Sequence, residues 1–400
     1  MSSNQLISGI HSGAQSTERG AVERPVALPS LTGLRWTAAL MVFLYHVHIV
    51  EYFGGRANDL VTFAFGMGST GVSFFFVLSG FVLAWSTPSS PAGRGIVRFW
   101  RRRLARIYPL HLVTVVAALA LVYFLGAGER PTPGSLGANL GLIQSWFPQV
   151  PYFQGLNPVS WSLAVEAFFY AAFPLMIGPL RRLGRHAPVV VAGACLVVIV
   201  AIPTVWELTG VADGQVWANY FFPLYRLPEF VLGIALAELV RAGRWRGPGL
   251  TVSLALTMAG YFLGYQADYA FRTVACTIVG FSTLIAAAAQ ADLRGEPSPW
   301  RGRISVRLGE VSFAFYMVHI LVIRAGESLF GGHPKLPMWD GGLWVLAAAF
   351  SVSLALAWAL HTWVELPGRR LLLRSWRRGP ATSRPGTTST TPPVPSRRTP

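Results

Sequence analysis

The sequence predicts an all-α polytopic membrane protein that crosses the bilayer about ten times and keeps both termini in the cytoplasm. Three observations carry that prediction. Only 12% of the residues are charged and 52% are apolar, whereas a soluble domain carries about a quarter charged residues. The apolar residues gather in ten runs, near 34–53, 70–87, 107–126, 161–180, 187–206, 219–240, 249–266, 272–291, 308–330 and 342–364, long enough to match a hydrocarbon layer about 30 Å thick. With the N-terminus inside, 27 of the 33 basic residues fall in cytoplasmic segments, four outside (Arg56, Arg130, Arg272, Lys335) and two within spans (Arg226, Arg324). Positive charge stays on the cytoplasmic side, so the ratio sets the orientation and an even number of crossings. Trp85, Trp146, Trp161, Trp217, Trp339 and Trp363 mark the ends of the runs, as interfacial belts require.

Residues 1–30 are polar, contain Pro25 and Pro29 and have no apolar core. They are expected to form a disordered cytoplasmic arm without a cleavable signal, which leaves the first span as an anchor. The membrane domain then covers 31–367. Its first span contains LRWTAALMVFLYHVH, Leu34 to His48. Arg35 and His46 are eleven residues apart, so both project from one helical face about 16 Å apart along the axis. An imidazole near the middle of the hydrocarbon is costly unless it faces a wet or protein-lined cavity, and this makes His46 the first candidate for chemistry. The second span, TGVSFFFVLSGFVLAWST, is short and glycine-containing and is expected to pack closely against its neighbours.

The connection that follows reads FWRRRLARIYPLH. Arg101, Arg102, Arg103 and Arg106 serve as orientation charge. Arg102, Arg103 and Arg106 also fit a phosphate-binding cluster on one helical face, because guanidinium forks bind phosphate oxygens in pairs. Between Ala127 and Ser160 lies the longest outside connection, with Pro131, Pro133, Pro148, Pro151 and Pro158. A long ordered loop is more often functional than not, so it is a candidate lid or acceptor platform. Span four begins SWSLAVEAFFY and places Glu166 about 7 Å into the helix if that helix starts at Trp161. A buried carboxylate there needs a partner. Span six pairs Arg226 with Glu229, three residues on, as an internal salt bridge near Pro228. Span nine carries His319 in SFAFYMVH, about 18 Å beyond Arg307 and so close to the depth of His46.

The net charge of +16 would suggest nucleic acid in a soluble chain. Here the arginines sit in short loops between apolar runs, so the charge points to an anionic leaflet or an anionic cytosolic ligand, and no nucleic acid is expected. The tail 368–400 is basic, and from Gly379 to Pro400 it is rich in Pro, Ser, Thr and Arg, which is a disordered composition. Cys195 and Cys276 lie in separate apolar runs and indicate neither a disulfide framework nor a metal cluster. Gly66 to Gly71 fits G-x-G-x-x-G but has no βαβ unit around it. His361 and Glu365 have metal-like spacing without a third ligand, so no metal is expected. Ser79 sits in no nucleophile elbow.

Six segments together resemble the membrane-bound acyltransferase family 3, the bacterial integral-membrane O-acyltransferases. They are the Arg35-x10-His46 pair, FFFVLSGF (Phe74 to Phe81), FWRRRLARIYP (Phe99 to Pro109), WSLAVE (Trp161 to Glu166), RLPEFVLG (Arg226 to Gly233) and SFAFYMVH (Ser312 to His319). The resemblance implies ten core helices in the plasma membrane and an acyl-CoA donor, usually acetyl-CoA, taken from the cytoplasmic side. It implies transfer to a hydroxyl, often of a sugar, with His46 essential. No hydrolase-like domain follows span ten, so the resemblance is to the stand-alone type, which includes members similar to macrolide acyltransferases. Phe313 and Phe315 stand where members often have tyrosine or other residues.

On this reading Arg35, Arg102, Arg103 and Arg106 hold the CoA phosphates and His46 acts as base or as acyl carrier. Glu166 and His319 orient the acceptor or the base. The competing class is a permease whose buried Arg, Glu and His line a transport path, but no internal repeat supports it.

Overall fold

The computed structural model describes residues 26–375 apart from 52, 88, 211–216, 332–334 and 336–340; the side chains of residues 57 and 375 are not described. The expected terminal segments 1–25 and 376–400, and Trp339, lie outside the described residues.

Each of the ten expected spans is a helix. They are α1 (Pro29–Ile49), α3 (Gly71–Trp85), α4 (Arg94–Leu125), α7 (Trp161–Arg182), α8 (Ala187–Thr209), α9 (Pro223–Arg241), α10 (Leu250–Gln266), α12 (Ala275–Arg294), α13 (Arg303–Phe330) and α14 (Leu343–Leu360). Shorter helices fill the connections: α2 (Gly55–Phe65), α5 (Pro133–Leu140), α6 (Val150–Phe153) and α11 (Tyr269–Arg272), with α15 (Leu366–Ser375) closing the described chain. Among the described residues seven helical stretches are long and apolar enough to cross a membrane, and α3 counts among them only together with the helical residues before it, from Asn58. The three expected spans outside that set are α1, α9 and α10. Arg35, His46 and His48 dilute the first, Arg226, Glu229 and Glu238 the second, and the third has only 17 residues. Helix α9 shows why apolar length alone is a poor guide here. Twelve of its residues are buried, so its polar side chains face protein and are spared contact with lipid.

The closest helix pairs are α3 with α9, α1 with α13, and α10 with α12. At the α3–α9 crossing a methyl group on Gly80 would lie 1.9 Å from the Phe230 carbonyl oxygen, and one on Gly233 would lie 1.9 Å from that of Val77. Only a missing side chain allows backbones this close, which is the small-residue packing expected of the short second span. Phe169 of α7 stacks on Phe230 at 4.7 Å between centroids and meets Phe76 of α3 edge-on at 5.1 Å, tying α3, α7 and α9 together.

Two boundaries differ from the sequence reading. Helix α4 begins at Arg94 and spans 32 residues, so the arginine run lies on a helix and not in a loop. At about 1.5 Å per residue it is roughly 48 Å long and exceeds the hydrocarbon thickness, which carries its basic first half past the apolar layer. At the other end α15 runs to Ser375 and takes in the first residues expected for the tail. The connection 127–160, expected on the outside, is ordered and folds back on the bundle. Its Asn157 is fully buried and donates to the Met317 carbonyl at 2.8 Å, while Arg324 donates to Leu156 O at 2.9 Å.

Candidate active site

Among the described residues, α1 supplies polar side chains to each of two cavities in the bundle. The first, of about 420 Å³, is lined by Arg35 of α1, Ser79 of α3, Arg103 and Arg106 of α4, and Glu166 and Tyr170 of α7, with apolar walls from α3 and α13. The second, of about 210 Å³, contains His46 with Tyr45, Trp161, Tyr220, Tyr269 and Arg272. Val72 and Tyr316 line both, so the two cavities adjoin at these residues. The Tyr316 hydroxyl is held by Ser162 Oγ at 2.8 Å and donates to Val159 O at 3.2 Å, which fixes the ring in place.

In the first cavity Glu166 Oε1 accepts from Ser79 Oγ at 3.1 Å and from the Tyr170 hydroxyl. Its carboxylate lies within Coulomb reach of Arg35, Arg103 and Arg106, and Glu365 within reach of Arg35 and Arg106. Arg103 lies over Phe99 and Tyr170, at 5.5 and 5.9 Å from the ring centres, and reaches Ser86 Oγ at 3.4 Å. Among the described residues Arg35 and Arg106 have neither a hydrogen-bond acceptor nor an ion-pair partner at contact distance. Two half-buried guanidinium groups facing a cavity without direct partners are suited to an anionic ligand.

The histidines explain each other. The His46 Nδ1 lies 2.8 Å from Val42 O and 3.2 Å from His319 Nε2, and His319 Nδ1 lies 3.2 Å from Phe315 O. A carbonyl oxygen only accepts, so each Nδ1 carries the hydrogen in the neutral rings. His319 Nε2 is then a lone-pair acceptor for the hydrogen on His46. That leaves His46 Nε2 as the nitrogen with a free lone pair, the form a general base requires. The ring centroids are 5.0 Å apart, and Phe43 and Phe315 pack around His319, which has no exposed surface.

The candidates divide accordingly. Arg35, Arg103 and Arg106 meet in one cavity, while His46 and His319 touch beside the other. Arg102 departs from the expectation: it is exposed and outside the cavity wall. Adjacent residues point about 100° apart, and the inward face of α4 runs through Phe99, Arg103, Arg106 and Leu110. Glu166 departs as well. It keeps company with the arginines and does not touch either imidazole, because α7 packs beside α3 and α4 while both histidines belong to α1 and α13. Arg226 and Glu229 form a fully buried pair at 3.0 Å, with Arg226 also donating to Ser73 Oγ, in line with a structural role. His361 and Glu365 pair at 2.8 Å. Sequence reading missed Tyr316 and Tyr170, which are of no unusual residue type for a span, and it set Ser79 aside as a nucleophile without seeing its bond to Glu166. It also missed Arg272, taken as mere outside charge.

These features define a class: a multi-pass membrane protein with a basic cavity and a histidine cavity back to back. Its sequence matches the profile of the acyltransferase 3 family, described as an acyltransferase domain, over residues 28–362, and the chain belongs to that family. It is an enzyme that transfers acyl groups. It is 40% identical over 372 residues to acyltransferase MdmB of Streptomyces mycarofaciens, covering 88% of this chain and 94% of that one. It is 29% identical over 225 residues to O-acetyltransferase OatA of Staphylococcus aureus, covering 53% of this chain and 35% of the relative. The peptidoglycan O-acetyltransferase OatA of Listeria monocytogenes is 29% identical over 165 residues, covering 38% of this chain and 24% of the relative. No solved structure matches.

Proposed function

We propose that this acyltransferase works in the plasma membrane with ten spans and both termini in the cytoplasm. It moves an acyl group, acetyl in the first instance, from acyl-CoA to a hydroxyl of a sugar-containing acceptor, a glycan or a glycosylated natural product. The observation that carries the reading is the placement of Arg35 and His46 on one helix but in two cavities that adjoin at Val72 and Tyr316. A donor anchored in one and an acceptor bound in the other then meet at that junction.

The steps follow from the side chains. Arg35, Arg103 and Arg106 hold the phosphates of CoA at the cytoplasmic mouth, with Glu166 and Tyr170 setting the guanidinium positions. The pantetheine arm extends along the apolar wall toward Val72 and Tyr316. His46 Nε2 takes the proton of the acceptor hydroxyl as its oxygen bonds to the thioester carbonyl carbon. The C–S bond then breaks, the proton passes to the departing thiolate, and the products are an ester and free CoA. His319 Nε2 accepts from His46 Nδ1 throughout and steadies the imidazolium that forms. The O-acetyltransferase names of two relatives support the acetyl group and the oxygen acceptor.

The test is His46→Ala in native membranes supplied with labelled acetyl-CoA and an extract of envelope glycans and metabolites. Positioned base catalysis contributes about 10²–10⁴-fold, so transfer should fall by that factor. Undiminished labelling removes His46 from the mechanism. Net movement of an unlabelled solute with no acetyl incorporation supports the permease instead.

A further inference from the structure

The junction of the two cavities, at Val72 of α3 and Tyr316 of α13, is built to hold still. Besides the two bonds on its hydroxyl, the Tyr316 ring stands edge-on to Phe75 at 5.9 Å. Val72 is almost wholly buried, and its backbone is held on either side. A methyl group on Gly71 would lie 2.8 Å from the Ala38 carbonyl oxygen and 2.9 Å from Val42 Cγ2, so α3 already touches α1 there. Ser73 Oγ accepts from Arg226 at 2.9 Å and donates to Thr273 O at 3.4 Å. With the backbone pinned, the room at the junction is set by the side chain at position 72. A smaller one leaves a gap that the neighbours close only in part, and a larger one takes space directly.

Thioester geometry says which part of the donor meets that side chain. Three atoms leave the carbonyl carbon in one plane: the sulfur, the oxygen and the first carbon of the acyl tail. The sulfur continues into the pantetheine arm in the basic cavity. The attacking hydroxyl comes from the histidine cavity, across that plane. The tail is left to lie against the junction, where Tyr316 presents a ring with a fixed hydroxyl and Val72 a purely apolar surface. We propose that Val72 is the gauge of acyl length: the tail packs on its isopropyl group, and a tail too long for the gap keeps the carbonyl from seating beside His46. One methylene in an apolar pocket discriminates by about 10- to 200-fold, so a single side chain here is enough to hold the enzyme to short acyl groups. This inference rests on the acyl-CoA reading of the donor, and the outcomes below keep the two apart.

The donor is tested without an acceptor. The full-length protein in lipid nanodiscs is titrated with dethia analogues of acetyl-, butyryl- and hexanoyl-CoA, in which a methylene replaces the sulfur so that the acyl group cannot leave. The parent should bind the acetyl analogue at least about tenfold more tightly than the hexanoyl one. Val72→Ala should raise the affinity for the butyryl analogue relative to the acetyl analogue by about tenfold, and Val72→Ile should lower that ratio by about as much. The opposite signs keep the test decisive if one variant folds poorly. Val77→Ala, the same change on the same helix but outside both cavities, should leave the ratio within about twofold. A parent that binds all three analogues alike overturns the gauge. So does a ratio that ignores both Val72 variants, or one that moves as far in Val77→Ala. In each of these cases the analogues still bind and the acyl-CoA reading stands. If the folded parent binds none of the three, the acyl-CoA reading falls and the gauge falls with it.

Discussion

Changing His319 to alanine removes the acceptor for the His46 Nδ1 hydrogen at 3.2 Å and leaves the rest of the histidine cavity intact. In the resting enzyme that bond joins two neutral rings and is one of two choices, because Val42 O also accepts. In the proposed mechanism His46 takes the acceptor's proton; the bond is then charge-assisted, and such bonds contribute about 1.5–3 kcal/mol. The difference appears in the transition state and not in substrate binding. At about 1.36 kcal/mol per tenfold, kcat should fall about 10- to 150-fold, with KM for acetyl-CoA within about twofold of the parent. The assay is initial-rate acetyl transfer in native membranes at varied acetyl-CoA. His319→Gln is the companion, since its amide oxygen is still an acceptor; it should recover much of the loss. An unchanged kcat in His319→Ala would refute the pairing. A glutamine variant that folds but is as slow as the alanine variant would refute the hydrogen-bond account.

Arg106→Ala should raise KM for acetyl-CoA by about tenfold or more through loss of a charged hydrogen bond, while Arg102→Ala, exposed and off the cavity, should stay within about twofold; equal effects would mean the inward face of α4 is wrong. Gly80→Val should lower folded yield and the melting temperature in detergent, since overpacking costs about 1–3 kcal/mol and the intruding methyl would lie 1.9 Å from Phe230 O. Glu238→Ala should destabilise as well. Its carboxylate joins Arg181 at 2.7 Å and Arg241 at 2.9 Å, and those arginines bind the carbonyls of Thr87, Ala84 and Trp85 at the end of α3. A drop in thermal midpoint, read by fluorescence-detected size exclusion, tests it; an unaltered midpoint would mean the clasp is dispensable.

Much of the fold was legible because a bilayer permits few choices. Spans had to be helices, and each of the ten expected apolar runs is one, seven of them within stretches long and apolar enough to cross a membrane. What apolar length missed was context, as in α9, where the buried Arg226–Glu229 pair looks prohibitive until neighbouring helices enclose it. The arginine run was read as a loop because charge ends an apolar run, yet charge does not end a helix, and α4 continues back to Arg94. At the site, periodicity put Arg35 and His46 on one face but carried no information about where their cavities adjoin. That junction belongs to Val72 and Tyr316, from other helices. The contact between His46 and His319, 273 positions apart in the chain, is a tertiary fact that matched depth hinted at and could not establish. Glu166 shows the same limit: its depth along a helix is readable, but that it faces the arginines and not the imidazoles is not.

Helix α1 holds its arginine and its histidine at a fixed interval of about 16 Å, eleven residues of rigid rise. A rigid interval acts as a gauge on whatever must touch both ends. A thioester carrier whose flexible arm is cut short can reach one station only: it either docks its phosphates and stops shy of the imidazole, or delivers its carbonyl with nothing gripping its head. Truncated donors such as acetyl-N-acetylcysteamine should therefore be poor substrates however reactive their thioester, and lengthening α1 by one turn should penalise the natural carrier in the same manner.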